Sequence, residues 1–268
     1  MTPDDPLTYP TPNAERLPAA AGWAWLRLGA SIFRRHPTQL LLTALNAMFV
    51  GLEAMWIPLV GPFAALALFP ALTMFVLEAC RTAEQQEAFS LPQVFRRWAG
   101  TGRLRALARL GCAYAAAVLS GATLCLLIYL PELRAGMAKV GPANVSMAVM
   151  AEMLRKPLLA SAIVSAPITM AFWYAPMLVG WHGLGVRKAL FFSMVACWRN
   201  KWAFLVYGLA VMGLAAGLDL LLSALYSGLG LDAAMVRMIG LPLQILFLAV
   251  VYCSFYPSYT TVFRPGAA

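Results

Sequence analysis

The sequence predicts an all-α integral membrane protein whose six helices cross the membrane. Of its 268 residues, 62% are apolar and 12% are charged, whereas a soluble domain carries about 25% charged residues. Several apolar runs reach about 20 residues, which is enough to cross a hydrocarbon core of ~30 Å. Basic residues flank these runs, as they do around transmembrane helices. The composition excludes an ordinary soluble enzyme, a disordered chain and a collagen-like rod.

The first twenty residues are predicted to form a disordered cytoplasmic tail, ahead of a transmembrane domain that covers residues 21–264. The tail is rich in proline, carries Asp4, Asp5 and Glu15, and has no apolar run. It therefore lacks the basic start and the apolar stretch of a secretory signal.

Six segments have the length and hydropathy of transmembrane helices. They are residues 39–59, 63–80, 107–130, 158–180, 203–226 and 239–257. Residues 58–62, a short turn of proline and glycine without charge, join the first two segments. A turn this short predicts an antiparallel hairpin.

The lysines and arginines are divided unevenly between the two sides of this bundle. Fifteen of the 20 fall on the side that holds both termini, and five fall on the other side. Because basic residues accumulate in cytoplasmic segments, this bias predicts a multi-pass membrane protein with both termini in the cytoplasm.

Three segments on the basic side, residues 23–35, 89–97 and 186–201, have apolar and basic residues at spacings of three or four. This pattern predicts amphipathic helices that lie in the membrane interface. The alternative is a juxtamembrane loop with chance periodicity, above all for residues 89–97. If the helices form, their basic side chains are candidate contacts for anionic lipid headgroups. These candidates are Arg27, Arg34, Arg35, Arg96, Arg97, Arg187, Lys188 and Arg199.

A weak internal repeat accompanies these segments. Each of them ends on an aromatic–basic step, and the second helix of each hairpin contains a proline: Pro70, Pro176 and Pro257. Because the order is kept three times, the chain is predicted to consist of three pseudo-repeats. Each would be an in-plane amphipathic helix followed by a transmembrane hairpin.

Residues 22–25 (GWAW), 32–35 (IFRR), 58–62 (PLVGP) and 198–208 resemble a family of uncharacterised six-span inner-membrane proteins of proteobacteria. The resemblance covers most of the chain after residue 20. More distantly, the chain is similar to the membrane domain attached to some glycerophosphodiester phosphodiesterases. The soluble catalytic barrel of those enzymes is absent here, so no catalytic residue is carried over. The resemblance implies a fold and a location, that of a multi-pass protein of the bacterial inner (plasma) membrane, but no reaction.

Three polar residues fall at a similar predicted depth in the outer half of the membrane: Glu53, Asp219 and Gln244. Because a charge in hydrocarbon is costly, they are a candidate polar cluster, as a proton or cation site. The alternative, which we favour, is hydrogen bonding between helices or a position at the wet interface. Nearer the other side, Glu78 and Arg81 are spaced for a local ion pair.

Spans three and five are rich in glycine and alanine. Small residues allow helices to approach closely, so these two spans are candidate central helices. A plain bias of composition toward alanine and glycine would give the same pattern.

No catalytic, cofactor or metal site is predicted. The two histidines, His36 and His182, have no other ligand at metal-binding spacing, and the five cysteines form no CxxC pair. Serine-hydrolase, Walker and Rossmann motifs are missing. We therefore expect no enzymatic activity, no cofactor and no nucleic-acid partner. The sequence does not indicate an oligomeric state.

The expected function is that of a structural or lipid-associated accessory protein, whose partners are membrane lipids, above all anionic ones. The alternative is a small transporter or channel with a polar path near Glu53 and Asp219. An intramembrane enzyme that acts on lipids is the third possibility.

Overall fold

The computed structural model describes residues 14–85, 90–100, 103–140, 146–230 and 233–263, and these ranges contain helices and no strand. The helices are α1 (Ala21–Arg35), α2 (Pro37–Met55), α3 (Gly61–Glu84), α4 (Leu91–Ala99), α5 (Leu104–Val140), α6 (Met147–Trp173), α7 (Ala175–Gly180), α8 (Val186–Arg199), α9 (Lys201–Leu229) and α10 (Ala233–Val262). The all-α fold is confirmed.

Six helical segments are long and apolar enough to cross a membrane. They are Pro37–Met55, Gly61–Glu84, Leu104–Ala138, Val149–Gly180, Lys201–Gly228 and Met238–Val262. Each contains one of the six predicted spans or most of it, so the six-span prediction is confirmed. The third and fourth segments extend beyond the predicted bounds because their polar ends continue the helix.

The fourth span is broken between α6 and α7. Pro176, which has no amide hydrogen, follows the break at Tyr174. Ser193 of α8 bridges it: its hydroxyl accepts a hydrogen bond from the Tyr174 amide at 2.9 Å and donates one to the Met170 carbonyl at 2.8 Å. The Ser193 hydroxyl thus takes the place of the direct hydrogen bond between the Tyr174 amide and the Met170 carbonyl.

Buried side chains are concentrated at one end of the bundle. The second half of α3, the short α7 and the last turns of α10 meet there, with Leu77, Leu178 and Val262 fully buried. The opposite halves of α5, α6 and α9 expose large apolar side chains such as Leu127, Ile163 and Met212. In a membrane such side chains face lipid, because hydrocarbon tails are as apolar as they are.

Helix α1 forms as predicted, but its apolar face does not lie in the lipid boundary. It packs against α9 and α10. Trp25 is 1% exposed, and its indole donates a hydrogen bond to Thr261 of α10 at 2.8 Å. Gly22 and Gly29, on the same face, lie directly on the backbones of α9 and α10, where a Cβ has no room. The placement of α1 is corrected accordingly: protein covers Trp25 and Ile32 of the predicted apolar face, whereas Leu28 of that face is 44% exposed.

Helices α4 and α8 each bury one face against the bundle and expose another. Helix α8 buries Ala189 and Ala196 in the bundle but exposes Phe191 and Trp198. Helix α4, which begins with a capping box at Ser90, is likewise buried on one side and exposed on the other. A short helix precedes each pair of long helices, in the order that the predicted pseudo-repeat requires. The repeat itself stays a prediction.

Part of the predicted tail contacts the bundle. The Glu15 amide donates to the Val262 carbonyl at 2.9 Å, and the Leu17 amide donates to the Asn200 side chain at 2.8 Å. Residues 14–17 therefore contact the transmembrane domain, and the two described ends of the chain lie at the same end of the bundle. Residues 1–13 and 264–268 lie outside the described residues.

The glycine-rich helices α5 and α9, which contain spans three and five, differ in how closely other helices approach their glycines. Gly111 of α5 lies directly on the backbone of Ala67 in α3, which confirms the close approach predicted for span three. In α9, by contrast, Cβ atoms added at Gly208, Gly213 and Gly217 would meet nothing within 4 Å. For these glycines the prediction of close helix contact is wrong, because α9 turns this face away from its described neighbours.

Candidate functional site

The structure brings together two of the three residues in the candidate intramembrane cluster. The Gln244 amide of α10 lies 3.4 Å from the Asp219 carboxylate of α9, and both side chains are exposed. Glu53 lies in the last turn of α2 and is also exposed. Its carboxylate forms no hydrogen bond or ion pair with the described residues. The arrangement is a polar pair on the outer surface of the bundle, with Glu53 apart from it.

The candidate lipid contacts share one end of the bundle and are exposed. We call this set the basic rim: Arg27, Arg34, Arg35, Arg96, Arg187, Lys188 and Arg199. They lie on α1, α4 and α8, which directly precede spans one, three and five. Because successive spans alternate in direction, all three helices lie on one side. The side chain of Arg97 lies outside the described residues.

Among the described residues, no carboxylate forms an ion pair with a member of the basic rim. Arg35 donates to the backbone carbonyl of Glu84 at 3.3 Å, and Arg96 donates to the carbonyl of Pro92 in its own helix at 3.4 Å.

At the opposite end of the bundle, basic side chains do form ion pairs with carboxylates. There Arg155 pairs with Glu152 at 2.9 Å, and Lys156 pairs with Glu132 at 2.6 Å. Within the described ranges, the cations of the basic rim therefore have no carboxylate partner, while these two cations do.

Exposed aromatic side chains accompany the basic rim. Trp23, Phe95, Trp198 and Trp202 are all exposed. The ammonium group of Lys201 lies 5.0 Å from the ring centroid of Trp198 and 5.8 Å from that of Trp202. Tryptophan and basic side chains are the residues that anchor a protein at the boundary between hydrocarbon and headgroups.

A buried polar cluster beneath the rim was missed by sequence reasoning. The indole of Trp181, after α7, donates to the carboxylate of Glu78 in α3 at 2.7 Å, and the Arg81 guanidinium lies 5.6 Å from the Trp181 ring centroid. The predicted local ion pair between Glu78 and Arg81 is wrong, because Glu78 points into the bundle and bonds Trp181. The spacing within α3 could not reveal a partner from another span.

His182 extends this cluster. Its Nε2 atom is hydrogen-bonded to the hydroxyl of Tyr259 in α10. Burial, followed by the positive charges of Arg103 and Arg81, lowers the pKa of His182 below its ordinary value of 6.5. The imidazole is therefore neutral at neutral pH, and the cluster joins the ends of α3, α7 and α10.

Metal and redox chemistry gain no support in the described ranges. No group of three or more His, Cys, Asp or Glu side chains there could hold a metal ion. All five cysteines are free, and the Sγ atoms of Cys80 and Cys253 lie 3.6 Å apart between α3 and α10. Burial raises the pKa of the Cys197 thiol, which keeps it protonated and unreactive.

Comparison with known proteins gives one informative relative. A probable inner membrane protein of Burkholderia thailandensis is 34% identical over 263 residues, which cover 93% of this chain and 94% of that protein. No family model and no solved structure matches the chain. The more distant similarity to the membrane domain of glycerophosphodiester phosphodiesterases stays a prediction.

Proposed function

The chain belongs to the family of this Burkholderia inner membrane protein, and from that premise we propose that it is a lipid-associated accessory protein of the inner membrane. In this proposal the basic rim holds anionic lipid headgroups around one end of the bundle. The observation that carries the proposal is a set of seven exposed cations on α1, α4 and α8 that form no ion pair with any described residue.

Electrostatics favours lipid as the partner of this charge. Each basic side chain near an anionic membrane surface contributes about 1 kcal/mol. The rim charges lie beside exposed aromatic rings, a combination of residues that is typical of headgroup level. The fold supports the same assignment, since the protein core buries one face of α1, α4 and α8 and leaves their cations outside. In this proposal the rim end faces the cytoplasm, as the positive-inside bias predicts.

The transport alternative has weaker support. A polar path needs groups that face one another inside the bundle, but Asp219 and Gln244 form an exposed pair and Glu53 lies apart from it. The proposal likewise assigns the chain no catalysis, no cofactor and no nucleic-acid partner.

The test compares two double variants that remove the same charge at opposite ends. Arg34→Gln with Arg35→Gln removes two rim cations, and Arg155→Gln with Lys156→Gln removes two cations that already have carboxylate partners. Each protein is reconstituted into vesicles of equimolar phosphatidylglycerol and phosphatidylcholine. Spin-labelled lipids then measure the preference of the protein-bound lipid shell for phosphatidylglycerol.

We expect the rim variant to lose preference and the control to keep it. Two lost contacts at about 1 kcal/mol each correspond to at most a thirtyfold loss, roughly, at the sites concerned. Equal preference in the wild type and the rim variant would refute the proposal. A preference lost equally in both variants would also refute it, because paired cations at the opposite end would then matter as much.

A further inference from the structure

The bend between α8 and α9 brings two tryptophan rings to one lysine. Trp198 lies in the last turn of α8, and Lys201 and Trp202 begin α9. The Lys201 ammonium group, 5.0 Å from the Trp198 ring centroid and 5.8 Å from that of Trp202, is within the ~6 Å at which a cation is attracted to an aromatic face. We call these three side chains the indole–lysine cluster.

A buried asparagine holds this bend. Asn200 joins the two helices and is 1% exposed. Its side-chain amide donates to the carbonyl of Ala196 at 3.0 Å and to that of Glu15 at 2.9 Å, and its side-chain oxygen accepts a hydrogen bond from the Leu17 amide at 2.8 Å. The cluster is therefore carried by a hydrogen-bonded joint, which lowers the cost of ordering its side chains around a ligand.

A ligand can reach the indole–lysine cluster directly, because all three side chains are exposed. Trp198 is 64% exposed and Trp202 is 58% exposed. Lys201 forms no ion pair with any described residue, Glu15 included, and the two indole nitrogens form no hydrogen bond with the described chain. The ammonium group is thus held by ring faces and not by a carboxylate.

The chemistry of the cluster selects an acceptor. An ammonium group has three N–H donors and no acceptor, and an indole has one N–H donor and no acceptor. A positively charged group of donors is complementary to an anion with several oxygens, such as a phosphate.

The position of the cluster along the chain identifies the source of that phosphate. Lys201 is the first residue of the fifth segment that can cross the membrane. Tryptophan and lysine at the start of a span lie where the hydrocarbon meets the headgroups. The phosphate of a phospholipid lies at the same level, and its acyl chains extend along the span.

We propose that the indole–lysine cluster binds the phosphate of one phospholipid molecule, with the Lys201 ammonium as the charged donor. The rings of Trp198 and Trp202 hold the ammonium in place and pack against the carbon atoms of the lipid next to the phosphate. This inference rests on the proposed lipid association. It differs from the basic rim because every phospholipid has a phosphate, so the cluster also binds a lipid without net charge.

The experiment therefore uses a lipid without net charge. Phosphatidylethanolamine is titrated into the delipidated full chain in detergent, and native mass spectrometry gives the dissociation constant of the first bound lipid. Lys201→Met removes the ammonium group. Lys156→Met is the matched control, because Lys156 is also exposed but lies at the opposite end and pairs with Glu132. We expect about tenfold weaker binding in Lys201→Met and wild-type binding in the control.

A second pair of variants separates the rings from the charge. Trp198→Leu keeps the ammonium group of Lys201 and removes one ring that holds it. Its control is Trp56→Leu, because Trp56 is 86% exposed between α2 and α3 and no described cation lies over its ring. We expect about threefold weaker binding in Trp198→Leu and wild-type binding in Trp56→Leu. Circular dichroism should show wild-type helix content in all four variants, since each replaces an exposed side chain.

Two further titrations test the phosphate and its source. Diacylglycerol has the same acyl chains without a phosphate, and we expect it to bind the wild type at least about tenfold more weakly than phosphatidylethanolamine does. Millimolar inorganic phosphate should leave the bound phosphatidylethanolamine in place, because free phosphate lacks the carbon atoms that pack against the rings.

Three results would overturn the proposal. The first is equal binding of phosphatidylethanolamine and diacylglycerol by the wild type. The second is equal binding by either variant of the cluster and its control. The third is displacement of the bound lipid by inorganic phosphate, which would assign the cluster to free phosphate instead.

The outcome is separable from the test of the basic rim. That test measures a preference for phosphatidylglycerol, whereas this one measures the binding of a lipid without net charge. A cluster that fails here beside an intact preference for phosphatidylglycerol would overturn this inference and leave the proposed function in place.

Discussion

Replacing Gly29 by alanine should destabilise the protein, whereas the same replacement at Gly217 should not. A Cβ at Gly29 would lie 2.5 Å from the Cα atom of Ser254 in α10, and nothing lies within 4 Å of the position at Gly217. Carbon atoms pack at about 3.5–4.0 Å, so α1 must move about 1 Å away from α10. That movement also pulls on the hydrogen bond between Trp25 and Thr261.

The magnitude follows from two opposing effects. Alanine favours a helix over glycine by about 1 kcal/mol at either position. Overpacking costs about 1–3 kcal/mol, and the upper end applies at Gly29 because the obstacle is backbone. The free energy of unfolding should therefore fall by about 2 kcal/mol in Gly29→Ala and rise by up to about 1 kcal/mol in Gly217→Ala.

The assay is unfolding of the purified variants by denaturing detergent in mixed micelles, followed by tryptophan fluorescence. The difference between the two variants isolates the overpacking, because helix propensity contributes equally to both. Variants that agree within about 0.5 kcal/mol would refute the packing of α1 on α10. Helix α1 would then belong in the lipid boundary after all.

Three further predictions concern charge and topology. Because the pKa of His182 is lowered in the folded state, the stability that neutral His182 contributes is complete above pH 6.5 and is lost as the pH falls below that value. Between neutral pH and about pH 5, His182→Gln should therefore lose less stability in thermal unfolding than the wild type does. An equal loss in both proteins would contradict this. Glu53→Gln and Asp219→Asn alter exposed side chains and should change the free energy of unfolding by less than about 0.5 kcal/mol; loss of a proton-coupled flux in vesicles would instead favour transport. Reporter fusions at Ala268 and in residues 58–62 should report opposite sides of the membrane, and finding both on one side would contradict six spans.

The six spans were predictable because span length and hydropathy are local properties of the sequence. The packing of α1 against other helices was not predictable. Trp25 and Ile32 recur at helical spacing, and such a pattern marks a face that avoids water without saying whether lipid or protein covers it. The missed signal is the pair of glycines on that face, Gly22 and Gly29. Small residues indicate close helix contact, which a lipid-covered face does not need.

The buried site residues were not predictable for a different reason. Glu78 and Trp181 are 103 residues apart in the chain, and their bond joins the second span to the segment after the fourth. The rim cations were predictable, since a long basic side chain beside a membrane stays at the surface wherever its helix packs.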